Sequence, residues 1–138
     1  MKKLALLLII ALIGLSQQSK AADVVNNTNC AVSVQIVFYN PSTCAVTSTC
    51  TVLSVAAHST VTIPTDCIST SVALLGFEIC WSPSVCTNCA SIGNSTGDHP
   101  CAQFPAGPVT LYTDCSTCVA ITPFVTIAWS SAGNLVIS

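Results

Sequence analysis

The apolar positions of this chain recur with a period of two over much of its length. In residues 30–39 (CAVSVQIVFY), Val32, Val34, Ile36 and Phe38 fall on one face of an extended segment, and Ser33, Gln35 and Tyr39 on the other. Residues 47–55 and 59–63 form two more β-rich runs, joined by Ala56-Ala57-His58 and closed by Pro64. Residues 71–81 (SVALLGFEICW) are apolar almost throughout, which predicts a central strand buried on both faces. Residues 109–112, 119–121 and 124–129 supply further short strands. Residues 130–134 (SSAGN) then turn the chain into 135–137, a C-terminal hairpin.

No window of useful length carries the three-to-four spacing of an amphipathic helix. The predicted fold class is therefore all-β: a disulfide-stapled antiparallel β-sandwich of about seven or eight short strands, Greek key and Ig-like in topology. Phe38, Phe77, Trp81, Phe124 and Trp129 are the expected large core residues. Residues 82–108 break the pattern, being rich in Pro, Gly, Ser, Asn and Cys, and read as one long crosslinked loop without a strand. Long loops in compact domains are often functional, so a specific binding feature is looked for there first.

The N-terminus has the layout of a secretory signal peptide. Lys2 and Lys3 precede an apolar run at 4–15, and small residues at 19 and 21 place a cut after Ala21. That run is shorter than the roughly 20 residues of a membrane span. The predicted organisation is a signal peptide at 1–21, of bacterial style, and one domain at 22–138 that is secreted or held at the cell surface. Lys2, Lys3 and Lys20 all precede the cut. Residues 22–138 contain no Lys or Arg and five acids (Asp23, Asp66, Glu78, Asp98, Asp114), a formal charge of −5. Phosphate backbones and anionic membrane surfaces are bound by Lys and Arg, so nucleic acid and such membranes are excluded as partners. Stability is left to burial and crosslinks.

The ten cysteines, Cys30, Cys44, Cys50, Cys67, Cys80, Cys86, Cys89, Cys101, Cys115 and Cys118, all follow the cut and read as a disulfide framework. They allow about 945 pairings. A local Cys44–Cys50 bridge closing a hairpin loop is the one pairing expected. Cys86-Thr-Asn-Cys89 and Cys115-Ser-Thr-Cys118 could build a tetrahedral zinc site, but in an exported chain oxidation competes and disulfides are favoured. No metal and no cofactor is expected.

Other chemistry-bearing residues have weaker contexts. Gly93-Asn94-Ser95-Thr96-Gly97 matches the G-x-S-x-G form, with Asp98 and His99 behind it and His58 as the other candidate base. A nucleophile elbow needs a strand-to-helix turn, which this loop does not offer, so no catalytic residue is assigned and the chain is read as a non-enzyme. Glu78 has no carboxylate partner at an interpretable spacing, and reads as a strand-edge or outward-facing acid. Asn26 and Asn94 fit N-x-[ST], a pattern that matters only in a glycosylating host.

Bare strand edges template pairing with other chains, and proteins guard them with Lys, Pro and inward charges. Without lysine, and with few charges within the strands, association itself becomes an expected role: a self-assembling subunit of a filament, sheath or adhesive layer. Val24 and Val25 near the start of the domain, and Leu135, Val136 and Ile137 near the end of the sequence, are the candidate assembly strands. The partner is then the chain itself through edge pairing, or another extracellular protein. The alternative is a monomeric secreted binding module. A third reading takes Thr47, Thr49 and Thr51, with Thr60 and Thr62 on a neighbouring strand, as a flat ice-binding type of surface.

Overall fold

The computed structural model describes residues 22–68, 74–82, 89–95 and 100–138. They hold nine strands: β1 Asp23–Asn26, β2 Val32–Tyr39, β3 Val46–Val55, β4 Ser59–Thr62, β5 Leu74–Trp81, β6 Cys89–Gly93, β7 Val109–Thr113, β8 Ala120–Trp129 and β9 Leu135–Ile137, with a 3₁₀ turn at Thr65–Ile68. Two sheets pack face to face. One has the order β4-β1-β9-β8-β7 and the other β3-β2-β5-β6. All pairings are antiparallel except β1 with β9, which is parallel. The expected disulfide-stapled β-sandwich is thus what the chain forms.

Alternation explains the core. Val32, Val34 and Ile36 of β2 and Phe77, Ile79 and Trp81 of β5 point inward from one sheet. Val24, Leu111, Ile127, Leu135 and Ile137 meet them from the other. The two sheets are tied across the core as well. Trp129 Nε1 donates to Gly93 O at 2.8 Å, and its ring meets Phe77 edge-on at 5.3 Å. Trp81 Nε1 donates to Thr113 O at 2.8 Å. Buried indole N–H groups need such acceptors, so each tryptophan fixes the distance between sheets as well as filling it.

The structure departs from the sequence reading in several places. The two short strands expected at 119–121 and 124–129 merge into one ten-residue strand, β8, which begins at Ala120 and has Thr122-Pro123 inside it. The loop expected at 82–108 contains β6, which pairs with β5 from Gly76↔Gly93 to Cys80↔Cys89. Its five residues, flanked by loop-forming composition, were too few to show a period. β5 is central, as expected, but not buried on both faces. Glu78 and Cys80 are half-exposed on the outside of the sheet, Glu78 between Gln35 and Ser91. Phe124 is 46% exposed rather than in the core.

Tyr39, expected on the wet face of β2, is buried on that face together with Val37 because another part of the chain covers it. Phe104 stacks on the Tyr39 ring, centroids 4.5 Å apart, and with Cys101 the four form a second, separate core. Gly76, opposite Val37 on β5, leaves room for this. A Cβ there would lie 2.6 Å from the Phe104 ring. The covering strap is fixed by the Cys44–Cys101 bridge, by Gly93 N donating to Pro105 O at 2.8 Å, and by Gln103 Nε2 donating to Cys44 O.

Four bridges join described residues: Cys30–Cys115, Cys44–Cys101, Cys50–Cys67 and Cys80–Cys89. Cys118 is disulfide-bonded as well, and Cys86 lies outside the described residues. The expected Cys44–Cys50 bridge is therefore not made. Cys50 reaches the 3₁₀ turn instead, and Cys44 reaches the strap; both partners are brought close only by the folded sheets.

Candidate functional site

The residues singled out from sequence are mostly drawn into structure. Cys89 bonds Cys80 directly across β5 and β6, and Cys115 bonds Cys30, so neither CxxC unit closes on itself. Cys50, Asp66 and Cys67 lie within reach of one ion, but the two sulfurs are bonded to each other and are not thiolates. Ser95 is exposed just past the end of β6; Asp98 and His99 lie outside the described residues. His58 sits exposed in the β3–β4 turn with φ at 52°, its Nε2 2.8 Å from Asn29 Oδ1.

Asn26 is no glycosylation acceptor in this fold. It is fully buried, and its Nδ2 faces the carbonyl oxygens of Cys30, Ala56 and Val55 at 2.7, 3.0 and 3.3 Å. Its Oδ1 accepts from the N–H and hydroxyl of Thr28. A buried amide so fully used is a lock, holding the end of β1 to the end of β3.

The threonine surface is broken twice. β3 has irregularities against β2 between Ile36 and Val37 and between Phe38 and Tyr39, so that Thr51 opposes Ile36 while Thr49 opposes Val37. Directly opposed residues share a face, so Thr51 lies on the inner side and Thr49 on the outer. Thr60 and Thr62 belong to β4, which pairs with β1 in the other sheet. No flat ladder of these five residues forms.

The assembly candidates lie in the middle of a sheet. β1 pairs with β4 on one side and β9 on the other, and β9 pairs with β1 and β8. Val24, Leu135 and Ile137 are completely buried, and Val25 and Val136 half-buried. Neither terminal strand presents an open edge in the single chain. The outermost strands are blunted in other ways. β4 and β6 have four and five residues. β3 carries the two bulges, and β7 has a register break between Leu111 and Thr113. Short and bulged edges are established guards against pairing.

One concave feature stands out at the end of the sheet where β9 stops. A cavity of about 260 Å³ opens beside Ser138. Ile121 and Val125 of β8 form one side, and Thr28, Asn29 and Cys30, which follow β1, form the other. Trp81, Asp114 and Cys115 complete its lining. The Cys30–Cys115 bridge joins two of the lining residues, and Trp81 is held by its hydrogen bond to Thr113 O. Loop composition gave no sign of this cavity in advance, because it exists between strands remote in sequence.

Asp114 begins the turn that ends the cavity. Its Oδ1 accepts from the Ser116 hydroxyl at 2.6 Å, from the N–H groups of Ser116 and Thr117 at 2.9 Å each, and from the Thr117 hydroxyl at 3.1 Å. These bonds favour the charged form and hold the carboxyl down at about 2, the Ser116 hydroxyl contributing most. The rim therefore carries a fixed negative charge at any ordinary pH. Nearby, on the outer side of β7 and β8, the exposed rings of Tyr112 and Phe124 meet edge-on at 5.0 Å.

Among the described residues, no helix is long and apolar enough to cross a membrane. Comparison of the chain with family models, with curated proteins and with solved structures finds no match in any of the three.

Proposed function

We propose that this chain is a secreted, non-enzymatic surface-interaction domain that works as a monomer and binds another extracellular molecule. The observation that carries this reading is the management of strand edges. Both terminal strands are paired on two sides, and among the described residues every outermost strand is short or irregular, so self-association through an edge has little to engage. The bridges among the described residues suit an oxidising compartment, and the signal-peptide layout of residues 1–21 supplies the export route.

Light scattering and negative-stain microscopy of the oxidised protein across a concentration series test it. A monodisperse monomer is expected; ordered oligomers or filaments would reverse the reading. The self-assembling subunit is the second reading, favoured by the lack of Lys and Arg from 22–138. It would require β1 or β9 to leave its own sheet and enter that of a neighbour. Intact-mass analysis checks processing, with Ala22 expected as the first residue. A serine-reactive probe checks the non-enzymatic part: labelling of Ser95 that disappears in Ser95→Ala would overturn it.

A further inference from the structure

The four bridges between described residues differ in what they tie together. Cys30–Cys115, Cys44–Cys101 and Cys50–Cys67 join positions 85, 57 and 17 residues apart. Cys80 and Cys89 are only 9 apart and stand directly opposite each other on neighbouring strands. Their Cα atoms are 4.3 Å apart, the close spacing of an opposed pair in an antiparallel ladder. We infer that Cys80–Cys89 is a thiol-exchange site, opened by an external dithiol while the other three bridges stay closed, and that Glu78 biases it against anionic thiols.

Access favours this bridge. Cys67 and Cys101 are buried, so Cys50–Cys67 and Cys44–Cys101 each have a shielded member, and Cys30 and Cys115 are both half-buried. Cys89 is exposed and Cys80 half-exposed, on the outside of the four-stranded sheet. The row they stand in continues through Ser33 of β2 to Ser54 of β3, small side chains that leave the bridge open from that side. Exposed bridges are the labile ones, because an incoming thiolate must reach a sulfur. This bridge also does the least for the fold. The loop it closes is the shortest of the four, and loop closure is what a bridge contributes. Gly76↔Gly93, Phe77↔Ile92, Glu78↔Ser91 and Ile79↔Ala90 pair β5 with β6 without it, so the sheet stays paired when it opens.

The exchange runs in two displacements. One thiolate of the dithiol attacks Sγ of Cys89, the more exposed member. The Cys80–Cys89 bond breaks, and Cys80 leaves as a thiolate that takes up a proton. The second thiolate of the reductant then displaces Cys89 and closes the reductant's own disulfide, so Cys80 and Cys89 gain the two electrons that the dithiol loses. Glu78 lies two residues before Cys80 on the same face, about 7 Å along the strand. That is within a Debye length at physiological salt, and residues 22–138 hold no Lys or Arg to offset its charge. A thiolate carrying a second negative charge is therefore repelled more than one on a neutral carrier. The site suits a dithiol with neutral or basic surroundings, and it does not depend on the interaction-domain reading.

The test is reduction of the oxidised, natively folded protein by limiting dithiothreitol, quenched with an alkylating reagent. Labelled cysteines are mapped by mass spectrometry of peptic fragments, since residues 22–138 offer trypsin no site. Cys80 and Cys89 should be labelled about tenfold or more faster than the cysteines of the other three bridges. Dihydrolipoate, a dithiol that carries a carboxylate, should open the bridge more slowly than dithiothreitol at equal thiolate concentration. Glu78→Gln should narrow that gap about twofold, and added salt should narrow it in the wild type. The double variant Cys80→Ser/Cys89→Ser should keep the native near-ultraviolet circular dichroism and lose the fast pair. Earlier or simultaneous opening of Cys30–Cys115, Cys44–Cys101 or Cys50–Cys67 would overturn the inference, and the wild type alone decides this. So would failure of the double variant to fold, because the bridge would then be one that the fold needs. An unchanged ratio of the two reagents in Glu78→Gln would overturn the bias assigned to Glu78.

Discussion

The two sheets each have one place where regular pairing leaves an apolar recess, and the chain treats them oppositely. On the outside of the four-stranded sheet, Gly76 lacks a side chain and Val37 and Tyr39 would face water; Phe104 fills the recess and a bridge pins it there. In the five-stranded sheet, Ile121 and Val125 of β8 line a cavity together with Trp81 and Ser138. The first recess is sealed at the expense of a buried Tyr39 hydroxyl with no partner among the described residues. Burial of that phenol pushes its pKa up. The second is walled by a crosslink and hydrogen bonds but left open.

Mutations at the sealed recess should be costly and those at the open cavity cheap. Phe104→Ala empties the Tyr39 recess and is expected to cost about 3–5 kcal/mol in chemical denaturation. Ile121→Ala, at the half-exposed cavity wall, should cost no more than about 1 kcal/mol. Equal losses at the two sites would erase the distinction between a sealed and an open recess.

Asn26→Leu comes next, at about 3 kcal/mol, since it removes the amide that donates to the carbonyls of Cys30, Val55 and Ala56 and accepts from Thr28, leaving Cys30 and Ala56 only the hydroxyls of Thr28 and Ser59. The loss bears on the cavity in particular. Asn26 shapes the turn through Thr28 to Cys30, one of its walls, so amide exchange at Thr28 and Cys30 should quicken along with the loss of stability. At the sealed recess, Gly76→Ala should cost about 1–3 kcal/mol by overpacking against Phe104. In the double variant Gly76→Ala/Phe104→Ala the two losses should fall well short of additive, because the new Cβ no longer meets a ring. Additive losses would mean that Gly76 matters for some reason other than Phe104.

These two recesses also mark how far the sequence could be read. Alternation located β2 with its inward Val32, Val34 and Ile36, and an unbroken apolar run located β5, whose Phe77 and Trp81 were expected in the core and reach it. Tyr39 follows the same rule and ends up buried, because Phe104, 65 positions away, arrives on the face that alternation assigns to water. β6 was hidden by its brevity within Pro-, Gly- and Cys-rich surroundings. β1, four residues long, carried no period and was legible only as a candidate for pairing; the structure pairs it twice. Neither the cavity nor the bridges could be read, since both depend on which distant segments the folded sheets bring together. The apparent threonine ladder shows the converse. Spacing along one strand implied a surface that two bulges in β3 take apart.

The smallest expected effect separates the two recesses by pH. Asp114 lies at about 2 in the folded protein against 3.8 ordinarily, so its carboxylate is bound more tightly to the fold than to the unfolded chain. A depressed carboxyl contributes stability that is complete above about 4 and is lost as pH falls through about 2. The acidic window of roughly pH 4 down to 2 should therefore loosen the turn from Asp114 to Cys118 beside the cavity, while leaving the stacked pair of Tyr39 and Phe104 unchanged. Tyr39 acts at the other extreme. With its pKa raised, its contribution is complete below about 10 and declines only as pH rises past that value. Amide exchange at Ser116 and Thr117, followed from pH 5 to 2 alongside exchange at Val37 and Tyr39, should show protection falling at the first pair and persisting at the second. Asp114→Asn keeps an acceptor oxygen but removes the charge, so its turn should exchange faster at neutral pH and lose the acidic dependence. If the wild-type turn and the Tyr39 recess instead lose protection together, the molecule opens as one unit, and the cavity has no wall that acid can loosen by itself.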